Sequence, residues 1–295
     1  MRRFFLLGIF IVKYGIKNAY IKIKSKKLFV LPIEGAIRNS GTSLSDSGEY
    51  EPYLQLCHAA NTQSDIYKIF RTSKAMHSVV DHVTFEQGDQ YLRNILKTNN
   101  LTKNLISVLN QVDSIGNPRK FRYKPYGDFS PLSLRYLNTF FNLISNLGDL
   151  NQLNVVEIGG GFGGQAALIC SLSTPKSYTL LDLPVVIQLQ EKFVKDLKIK
   201  GNFYFYSNPE MVRDQIDLVL SNYAFSELTK DVQDLYLETV ILKSRSGFIT
   251  WNKLGNKLLD GYSLADLLRI IPNSEILPDI PSFDPFNNII IWGAK

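Results

Sequence analysis

The chain has 295 residues, of which 45% are hydrophobic and 20% are charged. This composition is typical of a globular protein and excludes intrinsic disorder, collagen-like repeats and coiled coils. The formal net charge is +6, and the two cysteines, Cys57 and Cys170, are too few for a disulfide framework. Two cysteines and three histidines also disfavour a structural zinc site, and these counts together predict a reducing, cytoplasmic compartment.

The N-terminal segment, residues 1–27, contains eight Lys and Arg residues and no acidic residue. Subtracting these charges from the total leaves −2 for residues 28–295, so the rest of the chain lacks the basic surface that nucleic-acid binding requires. Nine apolar residues at 4–12 are too few to span a bilayer, and lysines follow them instead of a signal cleavage site. Three interpretations stay open: a peripheral membrane anchor, which the lysines slightly favour, a buried helix, or a partner-binding segment.

The middle of the chain divides into a linker and a helical region. Residues 35–50 are rich in Gly, Ser, Asn and Thr and predict a loop or linker. Helical patterns prevail from residue 52 to about 112, with one helix start expected at Gly88-Asp89. We therefore expect residues 50–127 to form a helical cap or acceptor-binding region in front of a larger domain at 128–295.

Strands and helices alternate in this larger domain. Ser130 is a good N-cap, Pro131 suits the first helical position, and Gly148 suits the end of that helix. Strands are predicted at 153–158, 177–182, 202–206, 216–221, 247–251, 276–277 and 288–292, and further helices at 164–171, 184–197, 231–243 and 263–271. This α/β alternation predicts a mostly parallel, Rossmann-like sheet with helices on both faces and a ligand site at the carboxyl ends of its strands.

A glycine-rich loop, IGGGFGG, follows the first strand of this domain. Gly159, Gly161 and Gly164 fit the dinucleotide fingerprint GxGxxG. Glu157, Gly159, Gly161 and Gly163 fit the ExGxGxG loop of S-adenosylmethionine-dependent methyltransferases equally well. Both loops use glycine for a tight turn and close approach of the backbone to a ligand, so the glycines alone do not separate the two cofactors.

The acidic residues near the loop favour S-adenosylmethionine. A carboxylate at Glu157 would repel a pyrophosphate but attract the ammonium and sulfonium groups of S-adenosylmethionine. Asp182 ends the next strand, where an acid can accept both ribose hydroxyls of either cofactor. Asn222 ends the fourth strand and is expected beside the glycine loop, facing the methionine end and the acceptor. Glu227 follows one turn later, either as a catalytic base or as a charge at a helix N-terminus.

Taken together, these stretches resemble the sugar O-methyltransferase family, within the class I S-adenosylmethionine-dependent methyltransferases. The resemblance covers roughly residues 60–295 and is carried by IGNPRKFRYKPYGDFSPLSLRYL at 115–137, VVEIGGGFGGQAAL at 155–168, LLDLP at 180–184, SNYAFSEL at 221–228 and ITWN at 249–252. It implies a cytoplasmic enzyme that methylates a sugar hydroxyl in surface polysaccharide or glycoconjugate synthesis. It also implies a cofactor site formed by Glu157, Gly159, Gly160, Gly161, Gly163, Asp182, Leu183 near the adenine, and Asn222.

Methyl transfer to a sugar hydroxyl requires alignment and benefits from a positioned base. The three histidines, His58, His77 and His82, all lie in the helical region, so that region must cover the strand ends if one of them acts. We expect His82, beside Asp81, to be the catalytic base, with Glu227 as the alternative, although a histidine in a helix more often has a purely structural role. No metal-ligand cluster is visible, so no metal is predicted.

Several alternatives remain open from the sequence. An NAD-dependent oxidoreductase would explain GxGxxG, and a non-catalytic scaffold at the membrane surface would explain the basic N-terminal segment. The sequence is compatible with a homo-oligomer. Four clustered aromatic residues could line an acceptor site, although packing is the commoner role of such residues: Phe121, Tyr123, Tyr126 and Phe129.

Overall fold

The computed structural model describes residues 51–253 and 258–293. The N-terminal segment at 1–27 and the predicted linker at 35–50, with the interpretations placed on them, lie outside this range. Within the described residues, no helix has both the length and the apolar character needed to cross a bilayer.

Within the described residues, five α-helices precede the first hairpin, and we call them the cap: α1 Glu51–Thr62, α2 Ser64–Tyr67, α3 Lys74–Val79, α4 Phe85–Thr98 and α5 Lys103–Val112. Helix α4 begins at a capping box of Thr84 and Gln87, so the start predicted at Gly88-Asp89 is wrong. Gly88 lies inside the helix, where a Cβ atom would stand 2.2 Å from the Tyr123 hydroxyl. The glycine therefore permits close packing and does not mark a helix end.

A short antiparallel hairpin, β1 Phe121–Tyr123 and β2 Gly127–Phe129, connects the cap to the sheet. Its aromatic residues pack against one another. The rings of Tyr123 and Phe129 stack with their centres 6.4 Å apart, and both side chains are buried. Phe121 packs on Phe85 of α4, with ring centres 5.3 Å apart. Packing therefore accounts for this aromatic cluster.

The remaining chain forms a seven-stranded sheet. Its strands are β3 Asn154–Ile158, β4 Ser177–Leu181, β5 Phe203–Tyr206, β6 Leu218–Asn222, β7 Ser246–Trp251, β8 Glu275–Pro278 and β9 Asn288–Trp292. The flanking helices are α6 Pro131–Leu147, α7 Gly164–Leu172, α8 Pro184–Asp196, α9 Lys230–Thr239 and α10 Leu264–Ile270. The helix predicted over 231–243 ends earlier, at Thr239, and a separate 3₁₀ turn follows at Ile241–Lys243.

The strand order is β5-β4-β3-β6-β7-β9-β8. Strands β3 to β7 pair in parallel, whereas β9 runs antiparallel to both of its neighbours, β7 and β8. Two buried apolar clusters cover the two faces of the sheet: Val155 of β3 belongs to one and its neighbour Val156 to the other. The predicted Rossmann-like α/β fold is confirmed.

The cap and one face of the sheet share a single apolar core. Leu54 of α1, Met76 of α3 and Leu109 of α5 lie in the same buried cluster as Val155 of β3 and Leu168 of α7. Burial of this size supplies most of the free energy that holds such layers together. The cap is therefore packed against the sheet as an integral layer.

A buried arginine fixes the position of this layer. Arg71 has no exposed surface, and its guanidinium pairs with Asp81 at 3.1 Å and with Asp113 at 3.2 Å. It also donates to the Ser130 hydroxyl at 3.1 Å, and its guanidinium carbon lies 4.6 Å from the centre of the Phe162 ring. Ser130 caps α6 as predicted, and Phe162 belongs to the glycine loop. One cation thus joins the cap, α6 and the glycine loop.

Replacing this cation should destabilise the protein strongly. Arg71→Met leaves the carboxylates of Asp81 and Asp113 buried without their counter-ion, so we expect a loss of about 3–5 kcal/mol in the free energy of unfolding. The matched control is Arg122→Met, because Arg122 pairs with Asp128 at the surface, where solvent screening leaves an ion pair with little effect on stability. Urea denaturation of both variants measures the difference, and equal losses would contradict the structural role of Arg71.

Candidate functional site

The glycine loop joins the end of β3 to the start of α7. Gly159, Gly161 and Gly163 adopt φ angles of 74°, 58° and 91°, in the left-handed region that other residues rarely adopt. At Gly159 a Cβ atom would also stand 2.0 Å from Cβ of Ala224, in the segment after β6. The three glycines are therefore required by the turn and by its close contact with the neighbouring strand end.

Glu157 lies under this loop, near the end of β3. Its side chain is 2% exposed, and its Oε2 accepts a hydrogen bond from the Tyr178 hydroxyl at 2.9 Å. Burial raises the pKa of Glu157 to about 8, against the opposing effect of the Tyr178 hydrogen bond and with a further increase from Asp182. Gly160 is buried directly above this carboxyl group.

Asp182 follows β4 and is tied to the same loop. Its Oδ1 accepts from the Leu183 amide at 2.8 Å, and its Oδ2 accepts from Gln190 Nε2, also at 2.8 Å. The same Gln190 nitrogen donates to the Gly161 carbonyl at 3.0 Å. Burial raises the pKa of Asp182 to about 7, and these hydrogen bonds oppose the shift. Gln190 lies on α8 outside any recognised motif, so its role was not predictable from the sequence.

The remaining cofactor residues predicted from the sequence lie around the loop. Leu183 is half-buried at the start of α8, and Asn222 is half-buried at the end of β6, where its Oδ1 accepts from Thr250 Oγ1 at 3.3 Å. The cap reaches this region, because a Cβ atom at Gly161 would stand 3.1 Å from Cγ1 of Val80. The structure thus brings the predicted cofactor residues together at the adjacent ends of β3, β4 and β6.

A cleft opens beside them, at the carboxyl ends of β6 and β7, and we call it the polar cleft. Helix α6 and the sheet form its walls. Most of its lining consists of amide, hydroxyl and charged side chains, including Arg135, Asn138, Asn142, Asn222, Thr250 and Asp279. These groups offer hydrogen-bond donors and acceptors to a small polar ligand.

Tyr223 shapes the floor of the polar cleft. It follows β6 directly and has a φ angle of 69°, which is uncommon for a residue with a large side chain. Its hydroxyl donates to Asp279 Oδ2 at 3.1 Å, and its ring centre lies 5.8 Å from the guanidinium carbon of Arg135. Backbone strain of this kind concentrates at functional sites. Arg135 and Tyr223 lie in stretches that carry the family resemblance but had no predicted role, and no motif contains Asp279.

The two predicted bases both lie within the electrostatic reach of Arg135. Glu227 is half-buried and accepts from Asn252 Nδ2 at 2.6 Å; burial raises its pKa, against the opposing effects of Asn252 and Arg135. His82 keeps an exposed surface, yet desolvation by surrounding atoms and the charge of Arg135 lower its pKa to about 4. His82 is therefore neutral at pH 7. His82 follows α3 of the cap and Glu227 lies in the turn after β6, and neither is among the residues that line the polar cleft.

The other two histidines are placed elsewhere. His77 Nε2 forms a hydrogen bond of 2.9 Å with the Arg71 carbonyl oxygen, which gives it a structural role in the cap. His58 is half-buried in α1, a helix that packs against α8.

No family model and no curated protein matches the chain. Solved structures that match include magnesium protoporphyrin IX methyltransferase from Synechocystis PCC 6803 with bound S-adenosylhomocysteine, at 12% identity over 73% of this chain and 97% of that one, with a TM-score of 0.43. An S-adenosylmethionine-dependent methyltransferase from Clostridium acetobutylicum matches at 10% identity over 54% and 91%, with a TM-score of 0.43. A Thermoplasma acidophilum protein matches at 15% identity over 64% and 95%, with a TM-score of 0.42. At these scores the matches carry no argument about function, which rests on the residues described above.

The raised pKa of Glu157 predicts a pH-dependent stability. Its ordinary value is 4.5 and its value in the folded protein is about 8, so the folded state binds the extra proton between these two pH values. Stability must therefore fall as pH rises through this window. Glu157→Gln keeps an acceptor for Tyr178 but removes the titration. From pH 5 to 8 we expect wild type to lose about 1 kcal/mol per pH unit relative to this variant.

Urea denaturation across this pH range measures the effect. The control is Glu191→Gln, on the exposed side of α8, which should follow the wild-type profile. If wild type and Glu157→Gln have parallel profiles, the Glu157 carboxyl is not a buried acid.

Proposed function

We propose that the protein is an S-adenosylmethionine-dependent O-methyltransferase whose acceptor is a sugar hydroxyl. The observation that carries this proposal is the junction at the strand ends. There the glycine loop, with Glu157 below it and Asp182 beside it, adjoins the polar cleft through Asn222. A nucleoside site and a site for a hydroxylated ligand thus share one edge of the sheet, as transfer between two ligands requires.

The residues around the loop fit S-adenosylmethionine. A carboxylate has about four acceptor positions, and Asp182 keeps capacity for ribose hydroxyls beyond its bonds to Leu183 and Gln190. At neutral pH the raised pKa values leave Glu157 mostly protonated and Asp182 partly ionised, so it is Asp182 that attracts an ammonium or sulfonium group and disfavours a pyrophosphate. S-adenosylmethionine, when bound, supplies an activated methyl group.

The polar cleft supports a sugar as the acceptor. Asn142 on α6 and Asn222 and Thr250 on the sheet line the cleft with amide and hydroxyl groups. Asn138 also lines it, with its amide bonded to Asn94 and to the Ile280 carbonyl. Such neutral groups both donate and accept hydrogen bonds, as sugar hydroxyls do. The cleft would therefore orient the acceptor, and orientation supplies much of the catalysis in a displacement reaction.

A base would take the proton that the acceptor hydroxyl loses. Glu227 is the stronger of the two candidates, because burial raises its pKa toward the operating pH and Asn252 holds its carboxyl group in place. His82 is neutral at pH 7, but a pKa of about 4 makes it a weak base. We therefore assign proton abstraction to Glu227, with His82 as the alternative.

Cofactor choice is tested by titrating the purified protein with S-adenosylhomocysteine and, in parallel, with NADH in a calorimeter. We expect S-adenosylhomocysteine alone to bind and Asp182→Ala to lose this binding, because the ribose acceptor is removed. Asp214→Ala, at an exposed position, is the matched control and should bind normally. Binding of NADH instead would favour an oxidoreductase, and binding of neither ligand would favour a scaffold protein.

The base is tested by single-turnover and steady-state methyl transfer. Glu227→Gln should lower kcat by about 10²- to 10⁴-fold without changing the affinity for S-adenosylhomocysteine, because the amide keeps its shape but takes up no proton. His82→Ala is measured beside it, and His58→Ala serves as the control outside the cleft. Full activity of Glu227→Gln would remove Glu227 as the base, and a loss confined to His82→Ala would transfer that role to His82.

A further inference from the structure

Arg135 differs from the paired arginines of the protein. Five described arginines form an ion pair with an aspartate: Arg71, Arg93, Arg122, Arg245 and Arg269. Arg135 is half-buried at the polar cleft, and no ion pair joins it to the part of the chain that the structure describes. Its guanidinium lies between two rings, with its carbon 5.9 Å from the centre of Tyr136 and 5.8 Å from that of Tyr223.

Three described carboxyl groups interact electrostatically with Arg135, and each of them also has another partner. Asp81 pairs with Arg71 at 3.1 Å, Asp279 accepts from Tyr223 at 3.1 Å, and Glu227 accepts from Asn252 at 2.6 Å. Burial raises the pKa of Asp279 and of Glu227, and the charge of Arg135 opposes both shifts. Tyr91, Tyr136 and Tyr223 also interact electrostatically with Arg135, as does His82, which is neutral at pH 7.

A guanidinium presents five N–H donors in a planar fork, and ring stacking leaves the edges of that fork free. Removing such a cation from water is costly unless an acceptor compensates it. The compensating group must reach the polar cleft, and it must carry negative charge in a planar or tetrahedral arrangement of oxygens. Phosphoryl and carboxylate groups both meet these conditions, and arginine binds both in bidentate fashion.

We propose that Arg135 anchors an oxyanion on the acceptor, so that the substrate is an anionic sugar derivative and not a neutral glycoside. The oxyanion is a phosphoryl group, as in a sugar phosphate or nucleotide sugar, or the carboxylate of a uronic acid. This inference rests on the proposed function in placing a sugar in the polar cleft. Arg135 would fix one end of the acceptor while the amide and hydroxyl groups of the cleft hold its ring.

The test measures binding without requiring methyl transfer. The full-length protein is titrated with pyrophosphate, glucose 1-phosphate, UDP-glucose and glucuronate, and with neutral methyl glucoside, each with and without S-adenosylhomocysteine. We expect at least one of the anions to bind at least tenfold more tightly than methyl glucoside. Tighter binding of the phosphorylated probes than of glucuronate would indicate a phosphoryl group, and the reverse order would indicate a carboxylate.

Variants assign the binding to Arg135. Arg135→Met should weaken binding of the anion by about 10- to 100-fold, the loss expected for a charge-assisted pair of hydrogen bonds. Arg135→Lys keeps the charge without the fork and should fall between this variant and wild type. Arg119→Met is the matched control, since Arg119 is an exposed arginine stacked on Phe121, and it should bind like wild type.

The outcomes separate this inference from the proposed function. Anion binding that survives Arg135→Met, binding of no anion at all, or equal binding of methyl glucoside would each overturn the inference. S-adenosylhomocysteine binding that is unchanged in all three variants shows that they are folded. If Arg135-dependent anion binding persists in a protein that does not bind S-adenosylhomocysteine, the oxyanion site stands and the methyltransferase proposal fails.

Discussion

The buried pairing of Arg71 with Asp81 and Asp113 is the interaction on which the arrangement of this protein depends. It holds the guanidinium of Arg71 over the ring of Phe162 in the glycine loop. Asp81 directly follows Val80, which contacts Gly161. Displacing the cap would expose this buried ion-pair cluster, break its hydrogen bonds to Ser130 and uncover the loop together, so the cap and the loop keep one relative position.

Helix α6 links this structural cation to the cleft. It begins at Ser130, which bonds to both Arg71 and Asp113, and it carries Arg135 in its second turn. The two arginines have opposite surroundings: Arg71 is fully buried with its donors satisfied, whereas Arg135 stands at a cleft beside rings and without an ion pair in the described chain. Any movement of Arg71 would break hydrogen bonds in a buried site, whereas the guanidinium of Arg135 can form further hydrogen bonds with a ligand.

Features set by local sequence were predictable here, and those set by distant packing were not. The strand, turn and helix around Gly159 follow from a hydrophobic run and a glycine pattern. The N-cap of α6 at Ser130 follows from the neighbouring Pro131. Gly88 misled the prediction, because its small size serves a contact with Tyr123 from another element. Asp279 reaches the cleft only through the order of the last strands, which no local pattern specifies.

The antiparallel strand β9 lies between β7 and β8, so β8 hydrogen-bonds to the sheet only through it. The ring of Trp292, at the end of β9, packs directly on Gly247 of β7. A Cβ atom at Gly247 would lie only 2.0 Å from this ring. Asp279 follows β8 directly, so its place in the cleft depends on the pairing of β9 between β7 and β8. On the ribosome, the strands that carry the glycine loop are complete well before β9 emerges, so the wall of the polar cleft that Asp279 supplies is among its last parts to be synthesised.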